Sequence, residues 1–304
     1  MATSHVFLGR DERVPGLKLL ASGKVRDIYE LDAQRLLFVT TDRVSAFDVV
    51  MREGIPYKGQ VLTAISVWWF ERTRDVIQNH LESARVEDIP GLSAEWRDKL
   101  AGRVMIVKRA QPTSVEWVVR GYLAGSGWKE YQKAGTVCGI ALPKGLQQSS
   151  KLPKAILTPT TKEETHDLPL TPAEARERVG PALFDPAEKA ALALFARGTQ
   201  ELEKLGILLC DTKFEFGLRE GKLMLIDEVL TPDSSRFWNR ADWKLGISPP
   251  SYDKQILRDW LEAQPWDKNP PPPKLDPKVM ARVGERYLEI CEKITGGMPT
   301  GVAV

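Results

Sequence analysis

With 304 residues, 42% hydrophobic and 28% charged, the chain has the composition of an ordinary globular protein of roughly two domains or lobes. A net charge of +2 excludes a nucleic-acid or membrane partner recognised by bulk electrostatics, so small-molecule substrates are the expected partners of a monomer or small homo-oligomer. Cysteines 138, 210 and 291 without metal spacing, three histidines, and no apolar leader or membrane-length run point to a reducing, cytoplasmic setting without a histidine metal site or serine triad.

Lys18 to Ala21, Val25 to Leu31 and Arg35 to Thr41 read as strands, separated by Ser22-Gly23-Lys24 and Asp32-Ala33-Gln34. Gly23 lets backbone approach a ligand, and Lys24 and Arg26 project from one strand face. Together they suit a phosphate cover, although two basic residues on a strand are more often a solvated face. The polar stretch Thr41 to Asp48 follows a buried strand, where either a site or a simple turn can be built. Leu62, Ile65, Trp69 and Val76 mark one face of a helix running to about Leu81.

Val104 to Val107 is an apolar strand, and Lys108 to Ser114 a connector whose Pro112 suggests a hinge between lobes. A strand over Val115 to Arg120, the glycine-bearing loop Gly121 to Gly127 and a helix around Trp128 to Lys133 follow. The free N–H groups of such a helix start can receive a phosphate, with Ser126 and Arg120 completing the site; the same glycines and serine could also serve only as caps. Residues 139–170, rich in Pro, Lys, Thr and Ser, are too long for an ordinary connection and read as a functional flap or a partly mobile segment. Thr171-Pro172-Ala173-Glu174 is a capping box opening a short helix that Gly180 ends. Asp185-Pro186-Ala187-Glu188 opens another, with Leu192, Phe195, Leu202 and Leu205 on its stripe.

That helix leads into a charged hairpin, Gly206 to Trp238. Asp211, Lys213 and Glu215 alternate with Thr212, Phe214 and Phe216, which puts three charges on one strand face. A turn at Arg219-Glu220-Gly221 precedes a second apolar run that delivers Asp227 and Glu228. For Asp227 to share the face of Asp211 and Glu215, the pleat requires an odd-length loop rather than a two-residue Glu220-Gly221 turn, and the longer loop is expected. Carboxylates converging at strand ends repel one another unless a cation sits among them; magnesium with a polyphosphate suits them, and a solvated face with cross-strand ion pairs is the plainer alternative. The hydroxyl-rich turn Thr231 to Arg236 that follows favours the first. Beyond it, Ser251 begins a helix closed by Pro265, Pro270 to Pro273 form a stiff linker, and Asp276-Pro277 starts a last helix packed on the body. There is no internal repeat. The expected domains are a β-rich ATP-binding lobe over 1–110, a central α+β lobe over 111–265 and a linker with its helix over 266–304.

The motifs GKVRDIY at 23–29, TDRVSAFD at 41–48, VRGYLAGSGWKEY at 119–131, DTKFEFG at 211–217 and IDEVLTPDSSRFW at 226–238 together resemble one family, phosphoribosylaminoimidazole-succinocarboxamide synthase, the SAICAR synthetase of purine biosynthesis. The likeness runs in order from about Gly23 to Leu261; Ser114 departs from it, standing where the family usually has proline. It implies an α+β fold with a small antiparallel β lobe and a larger α+β lobe, ATP in the cleft, distantly like protein kinases and ATP-grasp enzymes. It implies an ATP-dependent ligase that joins 5-amino-1-(5-phosphoribosyl)imidazole-4-carboxylate to L-aspartate through an acyl phosphate, with ATP and Mg2+. By the same resemblance Gly23, Lys24 and Arg26 meet ATP phosphates, and Lys108, Arg109 and Gln111 the adenine. Asp211, Lys213, Glu215 and Asp227 form the catalytic group, with Asp211, Glu215 and Asp227 on the metal. Arg120, Ser126, Gly127, Asp233, Ser234 and Arg236 meet the ribonucleotide. By position alone, Asp42, Ser45, Asp48 and Lys58 are candidates for aspartate. A kinase-like phosphotransferase and a non-catalytic nucleotide-binding module are the rival readings, and the His-Arg-Asp signature of the first is absent from the sequence.

Overall fold

Among the first strands, β1 (Lys18–Ser22) is largely exposed, β2 (Arg26–Glu30) alternates buried and half-buried side chains, and β3 (Arg35–Thr40) is buried on both faces towards its end. In the computed structural model, which describes residues 6–10, 12–162, 168–252 and 254–302, Tyr29 pairs with Leu37 and Leu37 with Ile106, all buried. The chain divides into two units: Met1–Trp69, His80–Arg109 and Tyr252–Val304 form one, Phe70–Asn79 and Ala110–Ser251 the other.

In the first unit a hairpin of β4 (Arg43–Ala46) and β5 (Val49–Gly54) follows β3, then helix α1 (Lys58–Arg72, whose last three residues belong to the second unit), strand β6 (Leu81–Ser83), helix α2 (Ala94–Leu100) and strand β7 (Val104–Lys108). Its sheet is antiparallel in the order β1-β2-β3-β7-β6. Helix α1 stops at Arg72, short of the expected Leu81, which instead opens β6. The stretch read as a polar loop is the β4–β5 hairpin, turned by Phe47 and Asp48 at φ 53° and 63°.

The second unit holds β8 (Gln111–Pro112), β9 (Val115–Tyr122), helix α3 (Gly125–Ala134), the small hairpin β10 (Thr136–Val137) and β11 (Ile140–Ala141), and β12 (Lys151–Leu157) with β13 (Thr160–Thr161). Helices α4 (Pro172–Val179) and α5 (Pro181–Lys204) precede β14 (Ile207–Arg219), β15 (Lys222–Ile226) and β16 (Ser235–Asn239). Thr171 closes the expected capping box with Glu174. Helix α5 starts at Pro181, four residues before the expected Asp185, because proline is accommodated at the first helical position. Part of the segment 139–170 is sheet: Ile156, Leu157, Thr160 and Thr161 run along β9 in one register, while 163–167 lie outside the described residues. The apolar face of β9 and β14 is buried, and there Trp117 meets Phe184 of α5 at 5.3 Å and Phe216 at 5.8 Å. Helices α6 (Gln255–Glu262) and α7 (Pro277–Thr295) belong to the first unit, where Leu275 N–H donates to Glu53 Oε2 at 3.3 Å. No described helix is long and apolar enough to cross a membrane.

Asp42 knits the first unit together. Its oxygens accept from the N–H groups of Phe7 and Gly59, each at 2.8 Å, and from Arg103 Nη1 at 3.2 Å, with both charged side chains buried. Replacing Asp42 with alanine leaves a buried unpaired guanidinium and is expected to cost about 3–5 kcal/mol of stability. A urea midpoint unchanged from wild type would contradict this.

Candidate active site

Strand β14 exchanges neighbours half-way along. Ile207 to Thr212 pair with β16 on one edge and Asp211 to Phe214 with β9 on the other; from Glu215 onward the partners are β15 and β8. The connection from β15 to β16 crosses at this break, and there Lys213 N–H donates to Ser234 O at 2.9 Å. Because Asp211 opposes Arg120 and Lys213 opposes Val118, the residues Glu116 and Arg120 share a face with Asp211, Lys213 and Glu215. Most charged side chains of the site project from that face.

The parity expectation for Asp227 fails and is corrected here. Arg219 pairs with Lys222, leaving a two-residue loop with Glu220 and Gly221 at φ 52° and 74°, which is type I′ geometry. Glu215 opposes Ile226, so a continued strand would send Asp227 to the face opposite Glu215. The chain instead leaves the strand there, with Asp227 at φ 66° and Leu230 at φ 50°. Asp227 thereby comes close enough to act on Lys213. Two non-glycine residues in the left-handed region within four positions mark a loop held in place by its surroundings. Thr231 Oγ1 donates to Glu228 Oε2 at 2.5 Å, and its backbone N–H donates to Ser234 Oγ at 3.2 Å, so Ser234 braces the loop. Asp233 N–H donates to Thr231 Oγ1 at 3.3 Å.

Lys213 pairs with Glu116 and lies 3.2 Å from Glu215, while Lys162 pairs with the other oxygen of Glu215. Burial alone would pull the Lys213 ammonium down, but Glu215, Glu116 and Asp227 outweigh it and hold it well above the usual lysine range. Burial would likewise raise Glu215; Lys213 and Lys162 override it and hold the carboxyl down to about 2. Among the described residues no three acidic, histidine or cysteine side chains are grouped to hold a metal by themselves. Glu215 and Asp227 fit magnesium in the form that takes one or two carboxylates and completes its shell with phosphate oxygens and water.

Asp211, expected among metal ligands, is engaged by arginines. Its Oδ2 accepts from Arg120 Nη1 at 2.8 Å and Arg236 Nη1 at 2.9 Å. Arg120 also donates to Ser126 Oγ at 3.1 Å and Thr158 Oγ1 at 3.0 Å. Two guanidiniums against one carboxylate leave net positive charge at the start of α3, which no side chain caps and whose first N–H groups lack helical partners. Gly125 is required there: it sits at φ 56°, and a Cβ would lie 2.8 Å from Arg236 Nη2. A cavity of about 400 Å³ opens beside this cluster, its lining including Arg120, Lys129 and Lys133 against one acid, Glu130, with Ser126 and Gly127. Its size and cationic wall suit a phosphorylated small molecule.

The first-unit candidates are placed differently. Lys24 Nζ meets Asp48 Oδ1 at 2.5 Å on the surface, and Gly23 N–H donates to Arg26 O at 2.8 Å. Arg109 pairs with Glu30 at 2.8 Å, Lys108 N–H donates to His80 O, and Ser45 is half-buried on the β4–β5 hairpin. In the second unit, exposed Gln111 opposes Leu218 in β14. Asp42 is taken up by the contacts described above, and Lys58 is fully buried with its ammonium 5.8 Å from the Tyr287 ring centre. Neither presents its charge at the surface. Sequence reasoning missed Glu116 and Lys162. Glu116 had a usable signal, its even spacing from Arg120 on one strand; Lys162 had none, because only sheet pairing brings it to Glu215.

The SAICAR synthetase family profile matches residues 19–273. Proteins named phosphoribosylaminoimidazole-succinocarboxamide synthase from Syntrophotalea carbinolica and Thermodesulfovibrio yellowstonii are 52% and 48% identical to the chain, each alignment covering 94% of it and 97% and 98% of the relative. The structure of SAICAR synthase from Saccharomyces cerevisiae complexed with SAICAR matches with a TM-score of 0.85 at 42% identity, covering 94% of this chain and 97% of that one. A SAICAR synthetase in complex with ADP matches with a TM-score of 0.66 at 26% identity, covering 92% and 98%.

The depressed Glu215 carboxyl carries a pH dependence. Its contribution to stability is complete above the ordinary glutamate range and is lost as pH falls towards 2, a loss on the order of 3 kcal/mol. Acid unfolding of wild type and Glu215→Gln measures it: the variant is expected to lack that part of the slope below pH 4.5, and equal slopes would contradict the assignment.

Proposed function

Since the chain belongs to the SAICAR synthetase family, we propose how its residues carry the family's reaction, the ATP-dependent condensation of an imidazole ribonucleotide carboxylate with L-aspartate in purine biosynthesis. The observation that carries the assignment is the meeting, on one face of β14, of an arginine-rich anion site at Asp211 with an ammonium–carboxylate cluster at Lys213. Two residues apart on a strand is about 7 Å. A ribonucleotide anchored by its phosphate at one can thus offer its carboxylate near a nucleotide's terminal phosphate at the other.

A carboxylate is a poor acyl donor because its leaving group would be oxide. Transfer of the γ-phosphoryl group from ATP to a carboxylate oxygen releases ADP and creates a phosphate leaving group. The aspartate amine then attacks the acyl carbon, the C–O bond to phosphate breaks, and the nitrogen loses a proton as the amide forms. Lys213 neutralises charge on the phosphoryl oxygens in transfer. Arg120, Arg236, Ser126 and the α3 start, including Gly127, hold the ribonucleotide phosphate, and Asp211 aligns the two guanidiniums without cancelling their charge. Glu215 and Asp227 would hold magnesium, which supplies further charge neutralisation when bound with the nucleotide. Gly23, Lys24 and Arg26 serve the ATP phosphates, the Lys108 to Gln111 backbone the adenine, and Asp233 the ribonucleotide pocket. Ser45 and Asp48 are the aspartate candidates.

The defining experiment is ADP release with the imidazole ribonucleotide, with and without L-aspartate. Sustained turnover only with aspartate is expected; equal release without it would make the protein a phosphotransferase. Arg236→Ala is expected to raise the KM for the ribonucleotide about 10- to 100-fold with a smaller effect on kcat, and Asp227→Asn to lower kcat about 100-fold with that KM little changed. The reverse pattern would exchange the two assignments.

A further inference from the structure

Glu116 and Glu215 pair with Lys213 and Asp227 acts on its charge, and the reading above gives only Glu215 and Asp227 a metal. We propose that the third, Glu116, is a positioning residue that keeps the Lys213 ammonium aimed at the nucleotide phosphates while Glu215 and Asp227 are engaged by the divalent ion. The proposal rests on the assignment of those phosphates to Lys213.

Glu116 is built as a fixed anchor. Its side chain is 8% exposed, against 33% for Lys213, so the carboxylate is the more deeply fixed partner of the pair. One carboxylate oxygen pairs with Lys213, and the other accepts from Thr160 Oγ1 at 3.1 Å. Thr160 lies opposite Glu116 in the β13–β9 register, and Lys213 lies diagonal to it across β9 and β14. The carboxylate is therefore held from one neighbouring strand and holds a side chain on the other. Glu215 cannot do this work throughout, because its second oxygen is shared with Lys162 and its charge is wanted by the metal. A lysine without such an anchor has four rotatable bonds along which to lose its aim.

Glu116→Gln keeps the size and an acceptor but removes the charge. It is expected to lower kcat about 10- to 100-fold, the effect of a slightly misplaced catalytic group, with the KM values for ribonucleotide and aspartate within about 2-fold. The calorimetric Kd for ADP with Mg2+ is expected to rise about 5-fold. In a Lys213→Met background the same change is expected to cost less than about 2-fold, because the residue acts through Lys213. A wild-type kcat, or a full further loss in the Lys213→Met background, would overturn the proposal. Should Glu116→Gln fail to fold, Thr160→Val decides: a kcat lowered about 3- to 10-fold at unchanged melting temperature supports it, and an unchanged kcat overturns it. Wild-type protein that releases no ADP in the presence of aspartate would instead overturn the reaction assignment, and this proposal with it.

Discussion

A partly buried ammonium group ringed by carboxylates is the constraint around which the second unit is arranged. Each of these groups is costly to remove from water alone, and the acids repel one another. Lys213 and Lys162 make the arrangement tolerable, and the depressed Glu215 carboxyl records how strongly they act. Such a cluster is expensive as scaffolding, since apolar residues would pack there more stably. It is well suited to receive a dication and a polyphosphate, which bring charges of both signs and change partners without leaving any group alone.

The strand exchange along β14 makes this arrangement possible. A uniform sheet would bury Lys213 between continuous neighbours. Because β16 ends where β15 begins, the loop from Asp227 to Ser234 crosses at that point and brings Asp227 close enough to act on Lys213. The same strand, two residues earlier, supplies the carboxylate that aligns Arg120 and Arg236. Two charged centres of different character thus share one rigid element, which fixes their separation by strand geometry rather than by loop conformation.

Local patterns were legible in the sequence, and contacts made across distance were not. The alternation in β14, the Thr171 capping box and the glycine-bearing start of α3 depend on neighbours within a few residues. Glu116 meets Lys213 across 97 residues and Lys162 meets Glu215 across 53, through sheet pairings that no local period reveals. Asp42 looks like a loop acid until Arg103, 61 residues away, claims it. The loop before Asp227 departs from its expected length for another reason. Pleat parity holds only while the chain stays in the strand, and a left-handed residue ends it. The Phe47-Asp48 turn escaped notice because it uses positive φ without the glycine that normally signals it.

The proposed function puts Glu215 and Asp227, and not Asp211, on the metal that accompanies the nucleotide. Anomalous diffraction from crystals grown with Mn2+ and a non-hydrolysable ATP analogue tests it directly. The expected map has a Mn2+ peak within about 2.2 Å of oxygens from Glu215 and Asp227, with Asp211 still between Arg120 and Arg236. A peak on Asp211, or one away from both Glu215 and Asp227, would contradict the account.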